Sequence, residues 1–173
     1  KKYRNGEITQ DRLRYGRLKT TFDALGFAVT DSKLHRLSKA YIQHLTTFNH
    51  LFPNTITLLK YLSEQYDLHI ITNGFAEIQN KKLSNSSIIH YFKVIVNSDM
   101  AGVKKPHPAI FQMALRKAKV APSLALMIGD NLEADILGAQ RQGMAAVHFN
   151  SNREPTHKYC PIVYGLNEIK HLL

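Results

Sequence analysis

Three short segments of this chain carry the residue types needed to hold a phosphoryl group beside a divalent cation. Ile71-Thr72-Asn73-Gly74 ends an apolar run and offers a hydroxyl, an amide and a permissive backbone. A helix pattern opens at about Ala76, and main-chain N–H groups at a helix start favour anions. Taken alone, Thr-Asn-Gly also reads as an ordinary capped turn. Lys104-Lys105-Pro106-His107-Pro108 sets Lys105 against a proline, which fixes φ and suits a helix start. A cation is electrostatically misplaced at a helix N-terminus, so Lys105 is expected to pair with a carboxylate or a phosphoryl group rather than to serve the helix. Lys104 has the plainer reading of a solvated side chain.

Gly129-Asp130-Asn131-Leu132-Glu133-Ala134-Asp135 is the most informative of the three. Asp130 directly follows an apolar run, and Asp135 falls in the first turns of the next helix. Hard oxygen ligands at a strand end suit Mg2+, which takes one or two carboxylates and keeps several waters. The bland alternative is an N-cap acid with a second acid near a helix start.

The elements that must position these residues alternate. Residues 8–25 and 31–48 read as amphipathic helices, with Gly26 as a C-terminal stop and Asp31 as an N-cap. Pro53 opens a helix through Leu58, Leu59 and Leu62. Short apolar strands are expected at residues 68–71, 94–96, 124–128 and 146–149, with a further one at 162–164. Helices are expected from Ala76, over 108–119, over 132–142 and over 167–172. Apolar strands alternating with helices predict an α/β fold with a parallel sheet covered on both faces. In such sheets ligands bind at the carboxyl ends of strands, where Thr72 and Asp130 both lie.

The 173 residues, 44% of them hydrophobic, suffice for one core with a small appended subdomain. The formal net charge of +10 raises the question of nucleic acid. The basic residues are spread out, without the interleaved aromatics of a stacking platform, which favours a solvated surface. The nine histidines show no H-x-x-x-H pair, which argues against zinc. No window is long and apolar enough for a membrane span. The single cysteine, Cys160, excludes an internal disulfide and fits a reducing, cytoplasmic setting.

Taken together, the three segments resemble the haloacid dehalogenase (HAD) superfamily of phosphohydrolases. Ile70-Ile71-Thr72-Asn73-Gly74 is similar to its second motif, and residues 102–111 to its third, with His107 where many relatives carry Asp. Residues 128–139 are similar to its fourth. The details look most like the pyrimidine 5'-nucleotidase branch. The resemblance implies a three-layer, Rossmann-like parallel-sheet core over residues 52–173, with part of a helical cap over residues 1–51. It implies an Mg2+-dependent phosphatase acting on a small phosphate ester, such as a nucleoside 5'-monophosphate, through an aspartyl-phosphate. Thr72, with the Asn73 and Gly74 backbone, would bind the phosphoryl oxygens. Lys105 would neutralise the phosphoryl group and the nucleophile, while Asp130 and Asp135 would bind Mg2+, the latter directly or through water.

The family's first motif, D-x-D-x-T/V on the first strand, has no counterpart here. Asp11, Asp23 and Asp31 fall in or beside helices, and Asp67 precedes its strand. The resemblance therefore implies a C-terminal portion of a longer enzyme, with the central strand and its nucleophile supplied by an upstream segment or another chain. A non-catalytic phosphate- or partner-binding relative is the alternative. A basic nucleic-acid-binding domain is a third reading, supported by net charge alone.

Overall fold

The computed structural model of the chain describes residues 7–173. They fall into two compact units, one ending at Phe48 and the other running Asn49–Leu173.

The first unit is a helical hairpin of α1 (Gln10–Ala24) and α2 (Asp31–Leu45). Gly26, at φ 72°, stops α1 as expected. The Phe27 N–H bonds back to the Phe22 carbonyl at 3.0 Å, satisfying a carbonyl that the helix end leaves orphaned. The N-cap of α2 is Thr30 rather than Asp31: its side chain accepts from the Lys33 N–H. Asp31 is instead the first helical residue, and its carboxylate accepts the Tyr15 hydroxyl of α1 at 2.6 Å. Either residue type can cap, and the tertiary partner decided between them. Leu34 is fully buried in this unit.

The second unit alternates helix and strand. α3 (Thr55–Ser63) leads into β1 (Leu68–Thr72), α4 (Ala76–Asn85) into β2 (Phe92–Asn97), and the short α5 (Ser98–Ala101) precedes α6 (Pro108–Ala118). Then come β3 (Leu126–Gly129), a π-helical turn (Leu132–Leu137) running into α7 (Gly138–Gln140), β4 (Ala145–Phe149) and β5 (Ile162–Val163). A 3-10 helix, Leu166–His171, ends the chain. β3 starts two residues later than its apolar run suggests, because Pro122 opens a 3-10 turn through Leu124. Leu124 is accordingly exposed.

All pairing is parallel. β1 lies on β2 with Thr72 opposite Asn97, and β3–β4–β5 form a second sheet with Gly129 opposite His148. Among the described residues no backbone pairing joins β1 to β3. Every residue of β1 remains partly exposed, whereas β4 is buried from Ala146 to Phe149.

Two apolar clusters hold the unit together. α6 presents Ile110, Phe111, Ala114 and Leu115 at helical spacing to Val96 of β2 and Met127 of β3. Leu58 and Leu62 of α3 pack with Val147, Phe149, Val163 and Ile169. Fully buried Phe111 also limits what the neighbouring α7 can carry: a Cβ on Gly138 would lie 2.8 Å from the Phe111 ring.

Candidate active site

One ammonium group joins the three sequence segments. Lys105 Nζ donates to the Ile71 carbonyl at 2.8 Å and pairs with Asp135 Oδ1 at 2.7 Å. The side chains of Lys105 and Asp135 are only 10% and 6% exposed. A pair so nearly desolvated holds its geometry far better than a surface pair. The corner carrying Lys105 is held from β1 as well. Asn73 Oδ1 accepts the Lys105 main-chain N–H at 2.6 Å, and Asn73 Nδ2 donates to the Lys105 carbonyl at 3.1 Å. The Lys105–Pro106 peptide bond is cis. The expectation that Lys105 serves a partner rather than its helix is met by Asp135. The N-cap of α6 is His107, whose Nδ1 accepts from the Ala109 N–H.

The turn after β1 closes on itself. Thr72 Oγ1 accepts the Gly74 N–H at 3.0 Å, which leaves the hydroxyl hydrogen free to donate elsewhere. The carbonyls of Asn73 and Gly74 both accept from the buried Ser98 hydroxyl, at 3.3 and 3.4 Å. Asp99 Oδ2 accepts the Ala76 N–H that opens α4, at 2.9 Å. Ser98 and Asp99 are site neighbours that sequence reasoning missed. Their signal, a Ser-Asp pair directly after an apolar strand, was available.

Asp135 folds back beneath the end of β3. Its Oδ2 accepts the Asn131 N–H at 3.2 Å. A Cβ on Gly129 would lie 2.4 Å from the Asp135 Cβ, so only glycine lets the carboxylate come this close. The π-helical turn produces this approach: the Asn131 carbonyl accepts from both Asp135 and Ile136, and the Asn131 side chain caps the Ala134 N–H at 2.7 Å. Single π turns of this kind recur at functional sites. Asp130 itself is exposed at the strand end.

The structure thus brings Thr72, Asn73, Gly74, Lys105 and Asp135 together, with Asp130 on the main chain that Asp135 supports. Among the described residues there is no cluster of three or more acidic, histidine or cysteine ligands. Two hard carboxylates without nitrogen or sulfur fit Mg2+, which is content with one or two and keeps water for the rest. Both Asp135 oxygens are already engaged, by Lys105 and by Asn131, so the exposed Asp130 is the better direct ligand and Asp135 the better water-mediated one.

Cys160 stands apart from this chemistry, and burial pushes its thiol up, which suits an inert side chain. No helix among the described residues is long and apolar enough to cross a membrane.

Parallel α/β sheets with a lysine–carboxylate pair beside a strand end place the protein among the α/β proteins that bind ligands at the carboxyl ends of their strands. The chain belongs to the haloacid dehalogenase-like hydrolase family, which matches it over residues 2–149. It is 33% identical over 175 residues to pyrimidine 5'-nucleotidase YjjG of Escherichia coli K12, covering 99% of this chain and 76% of that protein. The magnesium-bound crystal structure of HAD-hydrolase YfnB of Bacillus subtilis superposes with a TM-score of 0.86 at 26% identity, covering 99% of this chain and 75% of that one. Glyceraldehyde 3-phosphate phosphatase of Methanothermobacter thermautotrophicus is 42% identical over 101 residues, 58% of this chain and 45% of that enzyme. The chain therefore spans about three quarters of the first two and under half of the third.

Proposed function

We propose that the protein is an Mg2+-dependent phosphatase acting on a small phosphate ester, a nucleoside 5'-monophosphate being the favoured class. The observation that carries this reading is Lys105, whose ammonium spans the Ile71 carbonyl in β1 and Asp135 in the turn after β3. The likeness to a pyrimidine 5'-nucleotidase over nearly the whole chain supports the substrate class. The helical unit would correspond to part of the family's cap.

Each residue has a task in this scheme. The Thr72 hydroxyl and the backbone after it donate to phosphoryl oxygens. Lys105 neutralises charge that builds on the phosphoryl group and on the attacking carboxylate. Asn73 and Asp135 hold Lys105 in place, and Asp130 with Asp135 would hold Mg2+. When bound, Mg2+ would supply positive charge to offset that of the phosphate and the nucleophile.

The attacking carboxylate would arrive on a strand between β1 and β3, from an upstream segment or another chain. These two strands lack a mutual partner among the described residues. One oxygen of that carboxylate bonds to phosphorus as the bond from phosphorus to the ester oxygen breaks, and the ester oxygen takes a proton from solvent that the hydrolysis step returns. Water then cleaves the acyl phosphate, releasing inorganic phosphate and restoring the carboxylate.

The test is phosphate release from nucleoside 5'-monophosphates and p-nitrophenyl phosphate by residues 1–173, alone and joined to a strand carrying the carboxylate. The joined form should turn over in Mg2+, stop in EDTA, and lose about 10²–10³-fold in kcat on Lys105→Ala. Activity that persists through Asp130→Asn and EDTA would sink the reading. The lack of a D-x-D motif in residues 1–173 favours a second reading for them alone: they bind phosphate without hydrolysing esters.

A further inference from the structure

A histidine pair, His148 buried and His157 partly exposed, reaches the Asp130 main chain. His148, in β4, is fully buried. Its Nε2 lies 3.1 Å from the Asp130 carbonyl oxygen, and its Nδ1 lies 2.9 Å from His157 Nε2. The two ring planes differ by 17° with centroids 5.0 Å apart, so the N–H of one ring points into the in-plane lone pair of the other. His157 Nδ1 in turn accepts from the Tyr159 main-chain N–H at 3.3 Å.

The ends of this chain of bonds fix its direction. A carbonyl only accepts, so His148 Nε2 must carry a hydrogen. A main-chain N–H only donates, so His157 Nδ1 must be bare. Both rings are then neutral Nε2–H tautomers, with His157 donating to His148 and His148 donating to Asp130. A hydrogen on either Nδ1 would set donor against donor.

The loop that brings His157 here is itself tied down. Buried Asn150 exchanges two 2.8 Å bonds with the Glu154 main chain, and Gln140 Nε2 donates to the Tyr159 carbonyl at 2.8 Å. A bare imidazole pair in an apolar strand would be costly, and this pair is satisfied at every ring nitrogen.

We infer that His148 is a positioning residue: the His157–His148 relay clamps the Asp130 main chain and thereby aims the Asp130 carboxylate at its cation. This role rests on the metal reading given under the proposed function. The relay itself does not. Asp135 packs closely against Gly129 and accepts the Asn131 N–H, on either side of Asp130, while His148 holds the Asp130 carbonyl between them.

The experiment has two stages on the full-length protein. Ring-nitrogen NMR, recorded before any metal is added, should show both histidines as Nε2–H tautomers, with a scalar coupling between His148 Nδ1 and His157 Nε2. An Nδ1–H tautomer on His148 overturns the relay. MgCl2 is then titrated while the Asp130 and Asn131 amides are followed. His148→Phe should raise the dissociation constant about tenfold, as losses behind a metal ligand commonly do. His148→Gln, whose amide N–H reaches as far as Nε2, should recover most of that loss.

An unchanged Mg2+ affinity in His148→Phe, or a glutamine variant no better than phenylalanine, overturns the positioning role alone. A wild type whose Asp130 amide ignores MgCl2 overturns the metal reading and the positioning role with it, and leaves the relay standing. If His148→Phe does not fold, His157→Phe serves: it removes the ring that fixes the His148 tautomer. It should weaken Mg2+ binding about two- to threefold, and no change overturns the proposal.

Discussion

Asn73 grips Lys105 by the main chain, accepting its N–H at 2.6 Å and donating to its carbonyl at 3.1 Å across 32 residues of sequence. This makes the turn after β1 and the corner before α6 one rigid piece. Asn73→Ala would leave both Lys105 main-chain groups without their partner. The expected cost is about 2–3 kcal/mol of stability with a marked fall in kcat. Asn73→Asp keeps the acceptor and should show the milder defect in urea unfolding.

The Lys105–Asp135 pair should behave as a nearly buried pair rather than a surface one. Lys105→Met or Asp135→Leu alone leaves a nearly buried charge uncompensated, at a cost of about 3–5 kcal/mol. Lys105→Met with Asp135→Leu should recover much of that stability while activity stays absent. A double-mutant cycle in urea would measure the coupling, and additive effects would show that the pair is not coupled.

Two glycines predict opposite outcomes. Gly129→Ala would drive a methyl into Asp135, with a loss of about 1–3 kcal/mol and weaker Mg2+ binding. Gly16 lies inside α1 with nothing within 4 Å of a Cβ, so Gly16→Ala should stabilise the helical unit by about 0.5–1 kcal/mol. Thermal unfolding of the two variants would read both signs.

Stability should fall at both ends of the pH scale, for different reasons. The hydrogen bond to Asp31, reinforced by burial, pushes the Tyr15 phenol up. Its contribution is present below about pH 10 and lost as pH rises through the raised folded value. Absorbance at 295 nm should show one late-titrating tyrosine that disappears in Tyr15→Phe. Burial holds His69 below the ordinary histidine value, against the pull of Asp67. Its neutral form therefore favours the fold above about pH 6.5, and that advantage goes as pH falls through the lowered folded value. The urea midpoint of the wild type should drop between pH 7.5 and 5.5, and less so in His69→Phe.

Much of the site was legible because its residues break local rules. A lysine at a helix start, a glycine before an aspartate at the end of an apolar run, and a Thr-Asn-Gly turn all carry signals within a few residues of themselves. His148 carried one as well, a polar ring inside an apolar strand, but its partner lies nine residues on in a loop with no periodicity. The count of histidines without paired spacing pointed away from it. Asp31 was misread as a cap because its true partner, Tyr15, sits on another helix.

By itself the sequence determined the order of helices and strands, the parallel α/β class and the candidate residues, since periodicity, caps and turn chemistry act over a few residues. The tertiary structure decided which of those residues meet. Lys105 reaches Asp135 across 30 residues because α6 packs its apolar face on Val96 of β2 and Met127 of β3, and Asp135 comes this close to β3 only because Gly129 has no side chain. That β1 and β3 belong to separate sheets among the described residues is likewise a tertiary fact. Strand pairing is set by hydrogen bonds between segments distant in the chain, and no local pattern records whether an edge has found its neighbour.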